Sequence, residues 1–102
     1  MGVEERKKSN MTKKIDINVY PNPTRGMAFI SCELLENTSV ECALYDINGA
    51  EVKKFFISQK CNNSTLIWDG RDNKGNRVVP GVYFLRVKTQ NEFNDAKIIV
   101  IE

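Results

Sequence analysis

The chain has 102 residues, 41% hydrophobic and 27% charged, and 15 Lys and Arg against 13 Asp and Glu leave a net charge of +2. These values fit one globular domain with a real core, and so small a charge gives no footprint for nucleic acid. No apolar run approaches the roughly 18 residues of a membrane helix, so direct membrane insertion is not expected.

Residues 1–14 hold five cations (Arg6, Lys7, Lys8, Lys13, Lys14) with no aromatic residue among them. A disordered basic leader or linker is expected there. The same stretch, "MGVEERKKSNMTKK", has no apolar segment behind its charged start and is no signal peptide. The expectation is a protein that works inside the cell or the excised tail of a longer exported one, with Met11 leaving a second start open.

From residue 15 the pattern is strands and turns. "IDINVY" alternates, placing Ile15, Ile17 and Val19 on one face. In "VYPNPTRG", Pro21 and Pro23 fix φ and withhold donors, which bars the stretch from a central ladder. Asn22, before a proline, is pushed toward an extended conformation, so a stiff crossover is expected, relaxed at Gly26. "GMAFISCELL" sets Ala28, Ile30, Cys32 and Leu34 inward. "SVECALYDI" does the same with Val40, Cys42 and Leu44, then breaks at Asn48-Gly49, a tight-turn signal. "EVKKFFI" is a short strand whose apolar residues Val52, Phe55 and Ile57 share no clean face. "STLIWD" alternates and ends in "DGRDNKGN", rich in residues that tolerate positive φ. "GVYFLRVKT" divides into Val82, Phe84 and Arg86 on one side and Tyr83, Leu85 and Val87 on the other. "DAKIIVI" is the last strand.

Seven strands with regular turn signals and no sustained helical period predict an all-β, immunoglobulin-like seven-stranded antiparallel β-sandwich, with an open barrel as the alternative. The domain is expected over residues 15–102.

Catalysis has little to work with. The chain has no histidine, hence neither the commonest general base nor the usual partner of a Ser or Cys nucleophile. Asp46, Asp69, Asp72 and Asp95 fall at strand ends and turns, where local hydrogen bonding favours Asp. No catalytic residue and no cofactor is expected. Asp69, Asp72, Asn73 and Asn76 are weak calcium candidates, but the spacing is not that of an EF-hand and no glutamate closes the site, so a turn is the preferred reading. Trp68 invites a binding-site reading, but a core or semi-buried indole over the sheet edge, its N–H on a nearby carbonyl, is preferred. Tyr45 and Tyr83 read as sheet-covering residues whose hydroxyls reach water. Cys32, Cys42 and Cys61 form no C-x-x-C pattern; a Cys32–Cys42 bridge stays open. The sequons at Asn37, Asn62 and Asn63 suit turns and are given no weight as glycosylation sites.

In order, the punctuation marks are "VYPNPTRG", "ALYDINGAEV", "LIWDGRDNKGNRVVPGVYFLRV" and "KIIVIE". This series resembles the type A C-terminal sorting domain of the bacterial type IX secretion system, over nearly all of residues 15–102. It is also similar to the Ig-like domain of flagellar hook-capping proteins, which shares the long turn after Trp68. The residues that carry the likeness are Tyr20, Pro21, Asn22, Pro23, Gly26, Tyr45, Asp46, Gly49, Trp68, Asp69, Gly70, Asp72, Gly75, Pro80, Gly81 and Tyr83. The resemblance implies a non-catalytic sorting signal at the end of a larger protein exported to the cell surface or beyond, in a Bacteroidetes-like bacterium. Its partners would be proteins of the translocon and surface-attachment machinery. The alternative it implies is a structural module of a surface or flagellar assembly. Under the first reading the opening marks where cargo ends. Lys97, Ile98, Ile99, Val100 and Ile101 are then the candidate recognition strand, by β-augmentation. A monomer is expected, with edge-strand dimerisation as a risk.

Overall fold

The computed structural model describes residues 15–55, 61–90 and 92–102. Seven strands occur there: β1 (Ile15–Tyr20), β2 (Ala28–Thr38), β3 (Glu41–Asp46), β4 (Glu51–Phe55), β5 (Cys61–Trp68), β6 (Gly81–Lys88) and β7 (Phe93–Val100). They form two sheets, ordered β1-β2-β5 and β4-β3-β6-β7, and every strand pair is antiparallel. An immunoglobulin-like sandwich is therefore the fold, not an open barrel. The leader 1–14, Ile57 and the side chains of Leu34 and Cys61 lie outside the described residues.

Period-two alternation sets which face is buried. Ile15, Ala28, Ile30, Cys32 and Trp68 of the smaller sheet face Cys42, Leu44, Tyr83, Leu85, Val87, Ile98 and Val100 of the larger. β6 follows the expected division, with Tyr83, Leu85 and Val87 buried between more exposed neighbours. On its outer side Arg86 holds Asp95 through two hydrogen bonds (2.8 and 3.1 Å) and lies 4.2 Å from the Phe93 ring centre.

The irregular face of β4 has a definite cause. Leu44 pairs with Lys53 but Tyr45 pairs with Glu51, so Val52 is an inserted residue. A bulge reverses parity along a strand. Val52 and Phe55 can therefore both pack on the core despite their odd spacing.

The tight turn expected at Asn48-Gly49 is present, with Gly49 at φ 86° and its N–H donating to the Asp46 carbonyl. Two expectations are corrected. The last strand is Phe93–Val100, so Ile101 lies beyond it and is 40% exposed. Tyr83 is a buried core residue rather than a covering one, and its hydroxyl donates to the Val79 carbonyl.

Candidate recognition site

β1, β3 and β5 finish, and β2, β4 and β6 begin, at the same end of the sandwich, where β7 also finishes. The connections 21–27, 47–50 and 69–80 therefore gather there with residues 101–102. All four sequence marks, far apart in the chain, meet at this end.

The proline segment is the clasp. It is not the stiff extended crossover expected: it bends at residues 21–23, and both X–Pro peptide bonds, Tyr20–Pro21 and Asn22–Pro23, are cis. Its path runs beside the open edge of β7. Thr24 forms a parallel bridge with Val100, its N–H donating to the Ile99 carbonyl and its carbonyl accepting from Ile101 N–H, both at 2.8 Å. One step earlier, the Asn22 side chain acts as a peptide group: Oδ1 accepts from Ile99 N–H at 2.9 Å and Nδ2 donates to the Lys97 carbonyl at 2.7 Å. The Thr24 hydroxyl accepts from Gly26 N–H (3.1 Å) and donates to the Met27 carbonyl, so this buried polar residue is fully satisfied. Arg25 reaches a Glu102 main-chain oxygen. The candidate strand Lys97–Ile101 thus has its outward backbone groups at Lys97, Ile99 and Ile101 already engaged.

The same turn is built twice at this end. In "DINGA" and "DNKGN" the first Asp accepts two backbone N–H groups on one carboxylate oxygen: Asp46 from Asn48 and Ala50 (2.9 and 3.0 Å), Asp72 from Lys74 and Asn76 (both 2.9 Å). In each, the glycine N–H returns to the Asp carbonyl at 3.0 Å, with Gly49 and Gly75 at φ 86° and 88°. This is a three-residue loop closed by a left-handed residue, which glycine adopts without penalty.

Three of the calcium candidates each give one side-chain oxygen to backbone N–H groups. The Asp72 Oδ1 atom serves the turn, and Asp69 Oδ1 accepts from Arg71 N–H at 3.1 Å. Asn73 is spent elsewhere: its N–H donates to the Val52 carbonyl (2.9 Å) and its Oδ1 accepts from Lys54 N–H (3.0 Å). It thereby covers the free edge of β4 as Asn22 covers that of β7. Asn76 gives its carbonyl to Asp72 N–H at 2.8 Å. No group of three or more His, Cys, Asp or Glu suited to a metal occurs among the described residues.

Trp68 is the floor of this end. It is fully buried, its Nε1–H donates to the Arg71 carbonyl at 3.0 Å, and its ring meets Tyr83 edge-on at 6.2 Å. Burial, reinforced by the nearby Asp46 carboxylate, raises the Tyr83 pKa and keeps its hydroxyl a proton donor. Gly70 and Gly26 let the two long loops touch: a Cβ on Gly70 would stand 2.5 Å from the Gly26 carbonyl oxygen. Between the Asp46 turn and the 72–83 segment lies a groove of about 640 Å³, lined by Val52, Val78, Val82 and Tyr83 and flanked by exposed Ile47 and Val79.

Two contributors escape a strand-and-turn reading. Thr24 reads as an ordinary loop threonine, and Asn73 as one more turn residue. The local signal for both is an Asn or Thr in a segment barred from a ladder of its own, which must find its hydrogen-bond partners elsewhere.

Comparison with known proteins agrees with this geometry. No protein of curated function aligns significantly with the sequence. Two solved structures from Porphyromonas gingivalis share the fold. One is PorZ, a surface component of the type-IX secretion system, at TM-score 0.61 and 22% identity, covering 84% of this chain and 11% of that one. The other is dimeric latent PorU, at TM-score 0.62 and 23% identity, covering 85% and 9%. The chain thus spans about a tenth of either. The model of the secretion-system C-terminal sorting domain matches residues 18–102 and takes in all four marks, and the chain belongs to that family.

Proposed function

We propose that residues 15–102 are the address of a larger exported protein, read by protein components of a type IX secretion system. The match to the sorting-domain family over 18–102 carries this reading. The module itself is a non-catalytic binding domain, and any enzymatic activity resides in the protein it ends. The surface read is the end of the sandwich where the motifs meet, which also exposes Tyr20, Met27, Ile47, Val79 and Ile101. Exposed apolar residues concentrated in one region mark an interaction surface. Of residues 97–101, exposed Lys97 near the end of β7 and Ile101 just beyond it are available as side chains. Strand addition at that edge would first require Asn22 and Thr24 to let go.

The test is a reporter carrying a signal peptide at its start and residues 15–102 at its end, expressed in a bacterium with this secretion system. The reporter is expected at the cell surface or in the medium. Retention in the periplasm would overturn the reading.

A further inference from the structure

Two sheets present four edges, and their treatment is unequal. β7 is covered by Asn22 and Thr24, with hydrogen bonds of 2.7 to 2.9 Å. β4 is covered by Asn73. β1 lies against β7, and its Ile15 carbonyl accepts from Asn94 Nδ2 at 2.8 Å. β5 is the remaining edge, and among the described residues no hydrogen bond reaches its outer side.

Open edges in natural sheets are ordinarily protected by charge, proline or a covering segment. The β5 sequence, "CNNSTLIW", has neither charge nor proline. The outer-face row nearest the motif end is also apolar, whereas the rows beyond it, Asn18–Ser31–Thr65 and Asp16–Glu33, are polar. Tyr20 pairs with Phe29 and Phe29 with Ile67, one row across all three strands. The two rings stack at 5.5 Å, and Tyr20 and Ile67 are 54% and 60% exposed. That row stops at Ile67, at the same end of the sandwich as the motifs. On the inner face the half-buried Leu66 also stands at the rim.

We infer that the outer edge of β5, at Thr65–Trp68, is where the export machinery takes hold of this module, by adding an extended strand of a partner protein to the three-stranded sheet. This rests on the reading of the chain as a sorting domain and deepens it. Main-chain hydrogen bonds supply the affinity and alternate side chains the selectivity. The occupant is an uncharged strand. One of its apolar or aromatic side chains continues the row from Ile67 on the outside, and the next packs against Leu66 on the inside. A charged partner strand gains nothing here, because β5 offers no opposite charge.

The experiment uses the same reporter with three tails: wild type, Thr65→Lys/Ile67→Lys, and Gln90→Lys as a charge control on an exposed residue in the β6–β7 connection, at the opposite end of the sandwich. Folding of each is checked by Trp68 fluorescence and thermal melting. The single variant Ile67→Glu replaces the double one if the latter melts early. The expected result is export of wild type and Gln90→Lys, with at least a tenfold loss for the folded β5 variant. Undiminished export of a folded β5 variant overturns the inference and leaves the sorting function standing. Equal loss with Gln90→Lys also overturns it, since charge anywhere would then suffice. Failure of the wild-type tail overturns both.

Discussion

Asn22 and Ile99 stand 77 positions apart and meet as two peptide groups meet in a sheet, Ile99 N–H donating to Asn22 Oδ1 at 2.9 Å. The returning bond, from Asn22 Nδ2 to the Lys97 carbonyl, completes a one-residue imitation of a neighbouring strand. An edge without such cover is a template for pairing with other chains. The proline segment thus does more than connect β1 to β2: it closes the seam between the sheets and blunts the last strand.

Removing that cover has a measurable consequence. Asn22→Ala deletes both bonds at an exposed site where water replaces them, so a cost of about 1 kcal/mol is expected in urea unfolding. The local effect is sharper: the Ile99 amide should exchange with solvent well before its neighbour Ile98, whose main chain faces β6. Unchanged protection of Ile99 in hydrogen exchange would show that the Thr24 bridge alone closes the edge.

Gly70 and Gly49 separate two reasons for glycine. Both have positive φ (81° and 86°), but a Cβ on Gly49 meets nothing within 4 Å, whereas one on Gly70 collides with the Gly26 main chain. Gly49→Ala should cost only the conformational penalty, about 1 kcal/mol. Gly70→Ala adds the displacement of a packed loop, typically a further 1–3 kcal/mol. Denaturant midpoints of the two variants decide it, and equal losses would mean that the 21–27 loop yields freely.

Alkaline pH should probe the core. Cys42 is buried, and desolvation, followed by the effect of the neighbouring Cys32 thiol, pushes its pKa up to about 12. Its unfolded value lies near 8.5. Between these two limits the unfolded chain gives up the proton and the folded one keeps it, so stability is full below the lower limit and falls as pH rises toward the upper. The slope from this one group is on the order of 1.4 kcal/mol per pH unit. Unfolding free energies from pH 8 to 11 should fall less steeply for Cys42→Ala than for the wild type. Parallel curves would assign the alkaline loss to other groups.

Much of this was legible beforehand, for physical reasons. Alternation in "IDINVY" and "GVYFLRV" depends only on neighbouring residues, so the inward faces of β1 and β6 are readable from the chain itself. The prolines also correctly barred residues 21–23 from a central ladder. What they do not disclose is the partner: Asn22 meets Lys97 and Ile99 only because the topology brings β7 beside β1. The inserted Val52 was hidden for a similar reason, since a bulge is defined against a partner strand. The sequence does not mark the end of β7 at Val100, because an apolar residue just past a strand, here Ile101, looks like its continuation.

The paired turns allow the calcium question to be decided by stability. Asp46 and Asp72 make matching pairs of bonds, from Asn48 and Ala50 in one turn and from Lys74 and Asn76 in the other. If the second loop is only a turn, the two aspartates do equal work. Asp46→Ala and Asp72→Ala should then each cost about 1–2 kcal/mol, the loss of two backbone N–H partners at the surface. Neither value should change on adding millimolar calcium or a chelator, because Asp72 Oδ1 and Asn73 Oδ1 already hold backbone N–H groups and too few oxygens are left for the roughly six to eight that calcium takes. A cation site predicts a different pattern: calcium would raise the melting temperature of the wild type by mass action, and Asp72→Ala alone would abolish the rise. Melting curves of the three proteins, with calcium and with chelator, separate the two outcomes. A calcium-dependent rise confined to proteins that retain Asp72 would overturn the assignment of this loop as a turn.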